Sequence, residues 1–208
     1  MIPLFVDCSG RRIVIFGGGA VAARKAAYFS GHASVLVVSR SFAQKFEDMP
    51  VEQRELDVTK IPDENITAIT DGAFLVIGAL SDPGQNNRIG RLCRERSILF
   101  NNADGVTGDV IIPSVTSGDH FTIAISTNGG SPAMSRYIRK YLQQELPALD
   151  AMIALQHRLR EKLKSAEPDQ SRRKAILRRV LEDPAIWKNL GEDQEKAWDL
   201  VVTRYLHD

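Results

Sequence analysis

Cysteine and histidine are scarce in this chain, with two cysteines and four histidines among 208 residues. Cys8 and Cys93 lie far apart and the histidines are scattered, so the spacings of a zinc site or of a Cys–His or Ser–His–Asp catalytic arrangement are missing. Two distant thiols are typical of proteins in a reducing cytoplasm, where they serve as packing residues and form no disulfide. We therefore expect a cytoplasmic protein with no metal-binding residues.

An excess of charge of one sign and long apolar runs are also missing. The 27 basic residues nearly balance the 26 acidic ones, which argues against nucleic acid or an anionic membrane as a partner. No run approaches the roughly 18 apolar residues that a membrane-spanning helix needs. The first residues lack the charged start and long apolar core of a signal peptide. We expect a protein that contacts neither nucleic acid nor membranes.

Strand-like and helix-like segments alternate over residues 1–112. Short apolar runs at 13–16, 34–38, 74–78 and 98–100 suit buried strands, and the segments that follow Gly19 and Asp82 suit helices. This alternation is typical of right-handed βαβ units around a parallel sheet that is covered on both faces. The prediction for this part of the chain is an α/β domain.

The character of the sequence changes near Pro113. Residues 121–126 alternate like a strand, and Ser131-Pro132 is a strong helix start. Beyond about Leu146 the strand signals vanish and the apolar residues keep helical spacing. We therefore predict three parts: an α/β domain over 1–112, a small α+β segment over 113–145 and an all-α domain over 146–208.

The most informative stretch is residues 13–24, where an apolar run ends in three glycines and continues into a helix-compatible segment. Gly17, Gly19 and Ala22 occupy the three small-residue positions of the dinucleotide-binding fingerprint. There the first glycine permits a tight turn, the second lets a pyrophosphate approach the backbone, and the helix N-terminus offers N–H groups to the phosphates. The stretch predicts a nucleotide site in a Rossmann-type parallel sheet domain.

Further cofactor candidates follow the other predicted strands, because open α/β sheets bind ligands along the carboxyl edge. The second strand ends in Ser39 and Arg40, where such domains usually have an acidic residue for the ribose hydroxyls. The chemistry of Arg40 leaves two interpretations, a contact with the 2′-phosphate of NADP or a solvated surface charge. The predicted cofactor-binding residues are Gly17, Gly18, Gly19, Ala20, Val21, Ser39, Arg40, Gly78, Ala79 and Asn102.

Charged residues in two places are candidates for the chemistry of a substrate. Asp104, in the loop after the last predicted strand of the sheet, could take a proton or coordinate a metal, or else form an Asx turn with its own backbone. Asp109 offers the same choice, with a stronger lean to structure. Arg136, Arg139 and Lys140 on one predicted helix could hold the carboxylates of an acidic ligand or form a solvated face.

Several segments together resemble the precorrin-2 dehydrogenase family, which includes the dehydrogenase–ferrochelatase part of siroheme synthases. They are Gly-Gly-Gly-Ala-Val-Ala-Ala-Arg-Lys at 17–25, Leu-Val-Ile-Gly-Ala at 75–79 with Asp82-Pro, Asn-Asn-Ala-Asp at 101–104, and Ile-Ala-Ile-Ser-Thr-Asn-Gly-Gly-Ser-Pro at 123–132. The resemblance covers residues 1–145 well. It implies NAD-dependent oxidation of precorrin-2 to sirohydrochlorin, both tetrapyrroles, on the route to siroheme.

The resemblance also implies partners and roles. It favours NAD over NADP, and it implies a homodimer with the segment after Pro113 in the interface. Asp104 falls on the family's aspartate near the site of dehydrogenation and iron insertion, which makes it the candidate base or orienting residue. Ser131 falls on the serine of the family's Ser-Pro helix. The candidates for binding the carboxylate-rich substrate are then Ser131, Arg136, Arg139 and Lys140.

The chain departs from the family pattern after Asp104. Where relatives often have a cysteine, this chain has Gly108, a difference that leaves dehydrogenation intact and weighs against metal insertion. Two alternatives remain beside the dehydrogenase. One is a bifunctional enzyme that also inserts Fe²⁺ into sirohydrochlorin, and the other is a non-catalytic module that senses NAD(H).

Overall fold

The computed structural model describes residues 1–104 and 108–206 of the chain. The chain divides into two compact units, Met1–Ile112 and Pro113–Asp208. The first unit contains the glycine-rich stretch, and the second contains the Ser131-Pro132 helix start. A further boundary at residue 145, between an α+β segment and an all-α domain, stays a prediction.

A five-stranded parallel sheet forms the first unit and confirms the predicted α/β, Rossmann-type fold. Its strands are β1 Arg12–Phe16, β2 Ser34–Ser39, β3 Glu52–Glu55, β4 Leu75–Gly78 and β5 Leu99–Asn102. The strand order is β3-β2-β1-β4-β5, so the order reverses between β1 and β4. Phe16 lies beside Val38 on one side and Gly78 on the other. The carboxyl ends of the central strands therefore meet at one edge.

Helices cover both faces of this sheet because its central strands are apolar on both sides. The helices of this unit are α1 Ala20–Phe29, α2 Asp63–Ile69 and α3 Pro83–Glu95. On one face, Ile13 and Ile15 pack with apolar residues of α1. On the other face, Val14 and Phe16 pack with those of α2 and α3. This two-sided burial fixes where each loop leaves the carboxyl edge of the sheet.

Strand β3 is not predicted by the sequence pattern. All four of its residues are polar and exposed, and the strand lies at the edge of the sheet. It therefore lacks the apolar alternation by which a buried strand is recognised, while its charges discourage pairing with another chain. Because β3 pairs in parallel with β2, it extends the carboxyl edge and adds a further loop there.

The second unit contains a β-hairpin and a series of helices. Strands β6 Ser114–Ser117 and β7 Thr122–Ile125 are antiparallel, and the helices are α4 Pro132–Glu145, α5 Leu149–Ala166, α6 Gln170–Leu181, α7 Pro184–Glu192 and α8 Gln194–Tyr205. Helix α4 begins at the predicted Ser131-Pro132 start. Residues of α5 to α8 share one apolar core, which includes Met152, Leu159 and Ile186. Within residues 1–104 and 108–206, none of the helices has both the length and the apolar character that crossing a bilayer demands.

Candidate functional site

A cavity of about 760 Å³ opens in the first unit at the carboxyl edge of the sheet. Its walls come from the segments at the ends of the five strands: residues 17–21, 39–43, 56–59 and 79–82, together with Gln85 and Asp104. Open α/β sheets bind ligands at this edge, where the strand order reverses, and the volume is that of a small-molecule site. Most of the predicted cofactor and catalytic residues line the cavity, namely Gly17, Gly18, Gly19, Ala20, Val21, Ser39, Arg40, Ala79 and Asp104.

Close backbone approaches shape the glycine loop. Gly17 has a φ of +124°, a conformation that side chains rarely adopt, and its N–H donates to the carbonyl oxygen of Val38 at 2.9 Å. A Cβ on Gly17 would overlap the carbonyl oxygen of Ala79, and a Cβ on Gly18 would overlap that of Ser41. Only glycine fits these two positions, because the obstructing atoms belong to the backbone.

Gly19 lies in a different environment, since a Cβ on it would meet no atom within 4 Å. It is the N-cap of α1, no side chain caps this helix, and the first turn contains no acidic residue. The first N–H groups of a helix have no partner inside the helix, and together with the helix dipole they attract anions. The open space at Gly19 therefore fits the pyrophosphate of a dinucleotide, in a cradle that a side chain would fill.

The wall beside β2 and β3 carries one positive and one negative group. Arg40 is exposed just after β2, and Asp57 follows β3. Asp57 Oδ1 accepts hydrogen bonds from Thr59 Oγ1 at 2.7 Å and from the Thr59 N–H at 3.1 Å. The hydrogen bond from the Thr59 hydroxyl contributes most to lowering the pKa of Asp57. The bond from the Thr59 N–H and the charges of Arg40 and Lys60 lower this pKa further, whereas burial opposes them.

A buried asparagine on α3 connects the loops on the other side of the cavity. Asn86 is 0% exposed. Its Oδ1 accepts from the Leu80 N–H at 3.0 Å, and its Nδ2 donates to the Leu80 carbonyl oxygen at 3.0 Å and to Asp104 Oδ2 at 2.7 Å. One amide group thus ties the loop after β4 to the loop after β5 and holds the Asp104 carboxylate at the cavity wall.

An Asx turn lies at the start of the loop that carries Asp104. It is made by Asn102, whose Oδ1 accepts a hydrogen bond from the Asp104 N–H at 3.1 Å. A turn made by the Asp104 side chain itself would involve the N–H of residue 106, which lies outside the described residues. The Asp104 side chain is exposed and lines the cavity, where it can accept a proton or orient a ligand. Asp109 has the structural role, because its Oδ2 accepts from the Phe100 N–H at 3.2 Å.

Two predicted cofactor residues, Gly78 and Asn102, are not among those that line the cavity. Gly78 is buried at the end of β4, where a Cβ would lie 3.0 Å from both Asn86 Oδ1 and Phe100 Cζ. The missing side chain of Gly78 therefore serves the close packing of α3 on the sheet. Asn102 shapes the loop that carries Asp104, through the turn described above.

Lys25 on α1 reaches across to the last strand of the sheet. Its Nζ donates to Asn101 Oδ1 at 2.9 Å, and Asn101 Nδ2 donates to the Val110 carbonyl oxygen at 2.7 Å. Burial first, and the charge of Arg24 second, lower the pKa of Lys25 to about 8. The chain of bonds braces the end of β5, directly before the loop that carries Asp104.

The residues predicted to bind the substrate lie in the second unit, where Ser131 is the N-cap of α4 and the three basic residues follow within the helix. Ser131 Oγ is used as the helix cap, because it accepts from the Met134 N–H at 3.2 Å. Arg136 and Lys140 are exposed and Arg139 is half-buried. In the described part of the chain, no three His, Cys, Asp or Glu side chains lie close enough together to hold a metal ion.

Asp57, Thr59 and Asn86 are not among the site residues that the sequence predicts. Asp57 and Thr59 follow a strand that the apolar pattern does not show. Asn86 carried a usable signal, since it occupies a core-facing position of the helix predicted after Asp82, where an amide needs a specific partner.

Residues 4–114 match a family model described as "Putative NAD(P)-binding". Over 99% of its length the chain is 41% identical to a precorrin-2 dehydrogenase of Methanosarcina barkeri, and the match covers 95% of that protein. It is 30% identical, over 98% of its length, to a siroheme synthase of Azotobacter vinelandii, of which it spans 44%. The solved structure of SirC, precorrin-2 dehydrogenase, has a similar fold, with a TM-score of 0.72 and 20% identity over 98% of this chain and 100% of that one.

Proposed function

The chain belongs to the precorrin-2 dehydrogenase family, and we propose that it oxidises precorrin-2 to sirohydrochlorin, a step of siroheme biosynthesis, with NAD as the hydride acceptor. The observation that carries this proposal is a single cavity. The open helix N-terminus at Gly19 and the carboxylate of Asp104 both line it. Such an oxidation needs a nucleotide site and a group that manages the released proton. Both requirements are met by residues of one cavity.

The glycine loop fits the cofactor on steric and electrostatic grounds. Gly17, Gly18 and Gly19 would hold the pyrophosphate, with Ala20 and Val21 in the first turn of α1. Ser39 and Arg40 would lie at the adenosine ribose, and Ala79 on the nicotinamide side. NAD, when bound, supplies the acceptor of the hydride that leaves the macrocycle. The role of the chain is to position the two reactants, which in enzymes contributes a large part of the acceleration.

Asp104 is the catalytic residue of this proposal. The oxidation removes one hydride and one proton from precorrin-2, and the Asp104 carboxylate would accept the proton or orient the macrocycle for its loss to water. The hydrogen bond from Asn86 Nδ2 limits the rotation of this carboxylate. A carboxylate that is already oriented loses less entropy on reaching the reactive geometry.

Residues of the second unit are the candidates for binding the carboxylates of the substrate. Precorrin-2 is a polycarboxylate, and Arg136, Arg139 and Lys140 offer the cations that carboxylates require. We include Ser131 in this substrate-binding group as the residue that caps and orients α4. The proposal also includes a homodimer formed through residues 113–145 and an enzyme that works in the cytoplasm, as the low cysteine content favours.

An anaerobic assay that follows NADH formation from precorrin-2 tests the proposal. We expect turnover with NAD, and a loss of kcat of roughly a hundredfold or more in Asp104→Asn with unchanged affinity for NAD. Asp48→Asn removes an equal charge from an exposed residue outside the cavity and should keep the wild-type rate. A wild-type protein that binds NAD without turnover would support the sensing module instead. Metal insertion into sirohydrochlorin without NAD would establish the bifunctional alternative.

A further inference from the structure

The acidic residue that is missing at the end of β2 has a counterpart on the neighbouring strand. Ser39, the last residue of β2, lies directly beside Glu55, the last residue of β3. The chain that leaves β3 therefore arrives at the same edge as the chain that leaves β2. Asp57 follows Glu55 closely and lines the same cavity as Arg40. Asp57 and Arg40 line one cavity because an edge strand pairs with β2.

We infer that Asp57 is a specificity-determining residue, whose carboxylate at the β3 end of the cavity favours NAD over NADP by opposing Arg40. The inference rests on the proposed function for the identity of the cofactor. Taken alone, Arg40 would suit the 2′-phosphate of NADP. With the negative charge of Asp57 on the same wall, the positive charge of Arg40 is no longer available in full to a ligand.

The charges around the whole cavity support this role. Among the described residues that line it, Arg40 is the one basic side chain, and it is matched against three carboxylates, those of Asp57, Asp82 and Asp104. A phosphate monoester carries a charge of about −1.5 to −2 near pH 7. A ligand with this extra phosphate therefore meets a cavity in which negative groups outnumber the cation.

The local hydrogen bonds keep the Asp57 carboxylate in place. The hydroxyl and the N–H of Thr59 both bond to Oδ1, and the Asp57 side chain is 17% exposed. Lys60 Nζ lies 3.8 Å from Oδ2, but its side chain is 80% exposed and largely screened by water. The Asp57 carboxylate is thus held in one orientation before a ligand binds.

The test is a fluorescence titration of NADH and NADPH at one fixed salt concentration. In Asp57→Asn the carboxylate is replaced by an amide of the same shape, which still caps the turn because its Oδ1 can accept the Thr59 N–H. We expect the ratio of the NADPH Kd to the NADH Kd to fall roughly tenfold, which corresponds to about 1.4 kcal/mol. Glu55→Gln removes an equal charge from an exposed residue outside the cavity and should leave the ratio within about twofold of wild type.

A second variant identifies the group that binds NADPH more tightly in Asp57→Asn. The double change Asp57→Asn with Arg40→Gln should lose the improved affinity for NADPH, because the liberated guanidinium is gone. The inference is overturned if Asp57→Asn leaves the ratio unchanged, or if Glu55→Gln shifts it equally. Both outcomes are independent of catalysis, because they are read from binding alone. A protein that binds NADH but never turns over precorrin-2 would contradict the proposed function. The two Kd values would still show whether Asp57 sets the preference for NADH over NADPH.

Discussion

Asn86→Leu should destabilise the first unit by roughly 3 kcal/mol, although Leu is close to Asn in size. The change removes two hydrogen bonds to the backbone of Leu80 and one to the carboxylate of Asp104. A neutral hydrogen bond contributes about 1 kcal/mol and one to a charged group about 1.5–3 kcal/mol, so two of the first kind and one of the second add to roughly 3.5–5 kcal/mol. Because Leu80 is only partly buried and Asp104 is exposed, water can replace some of these bonds. The expected loss of roughly 3 kcal/mol therefore lies slightly below that sum.

Urea unfolding followed by far-UV circular dichroism measures this loss. With an m-value of about 2 kcal/mol per molar, a loss of about 3 kcal/mol lowers the midpoint by about 1.5 M. Asn87→Leu is the matched control, since the neighbouring Asn87 is exposed on the same helix. Trp187 and Trp198, the only tryptophans of the chain, both belong to the second unit, so their fluorescence follows that unit in the same samples.

Equal urea midpoints for Asn86→Leu and Asn87→Leu would refute the stabilising role of the Asn86 hydrogen bonds. The amide of Asn86 would then not tie the loop after β4 to the loop after β5. A lowered midpoint in tryptophan fluorescence with an unchanged midpoint in circular dichroism would equally contradict the placement of the effect in the first unit. In either case Asp104 would need another explanation for its fixed position.

Three further predictions concern single residues of the first unit. Gly19→Asp should abolish NADH binding, because the new carboxylate fills the open space and repels phosphate; wild-type affinity in a fluorescence titration would contradict the placement of the pyrophosphate. Burial, with a smaller effect of Arg24, lowers the pKa of Lys25 from 10.5 to about 8, so the unfolded chain binds more protons between these values. The Tm of wild type relative to Lys25→Met should thus rise with pH across that window and stay level below it. Burial raises the pKa of the Cys93 thiol to about 12, so this thiol should not react in the native chain. Cys8 is only half-buried and should react. An aromatic disulfide reagent should therefore modify one thiol per native chain and two after unfolding.

The apolar pattern of the chain predicts four strands of the parallel sheet and the glycine loop, because these features depend on short stretches of sequence. Buried strands are recognised in a sequence as apolar runs, as at residues 13–16. Helices are recognised by apolar periodicity or by a start signal such as Ser131-Pro132. The positive φ of Gly17 is likewise local, since it belongs to the turn between β1 and α1, whereas the close approach of the Ala79 carbonyl oxygen to Gly17 is a tertiary contact. Neighbours in the chain are enough to set the strands, the helix starts and this turn.

Which polar groups line the cavity depends on packing between segments that are far apart in the chain. Arg40 and Asp57 share a wall because the polar edge strand β3, invisible to an apolar pattern, pairs with β2. Asn86 bonds to Asp104 because α3 packs over β4 and β5, which places the amide between their loops. Such pairs are far apart in the chain, and the direction of each side chain is set by sheet register and helix packing. The sequence thus names the kind of site, and the fold determines the charges and hydrogen bonds that a ligand would encounter there.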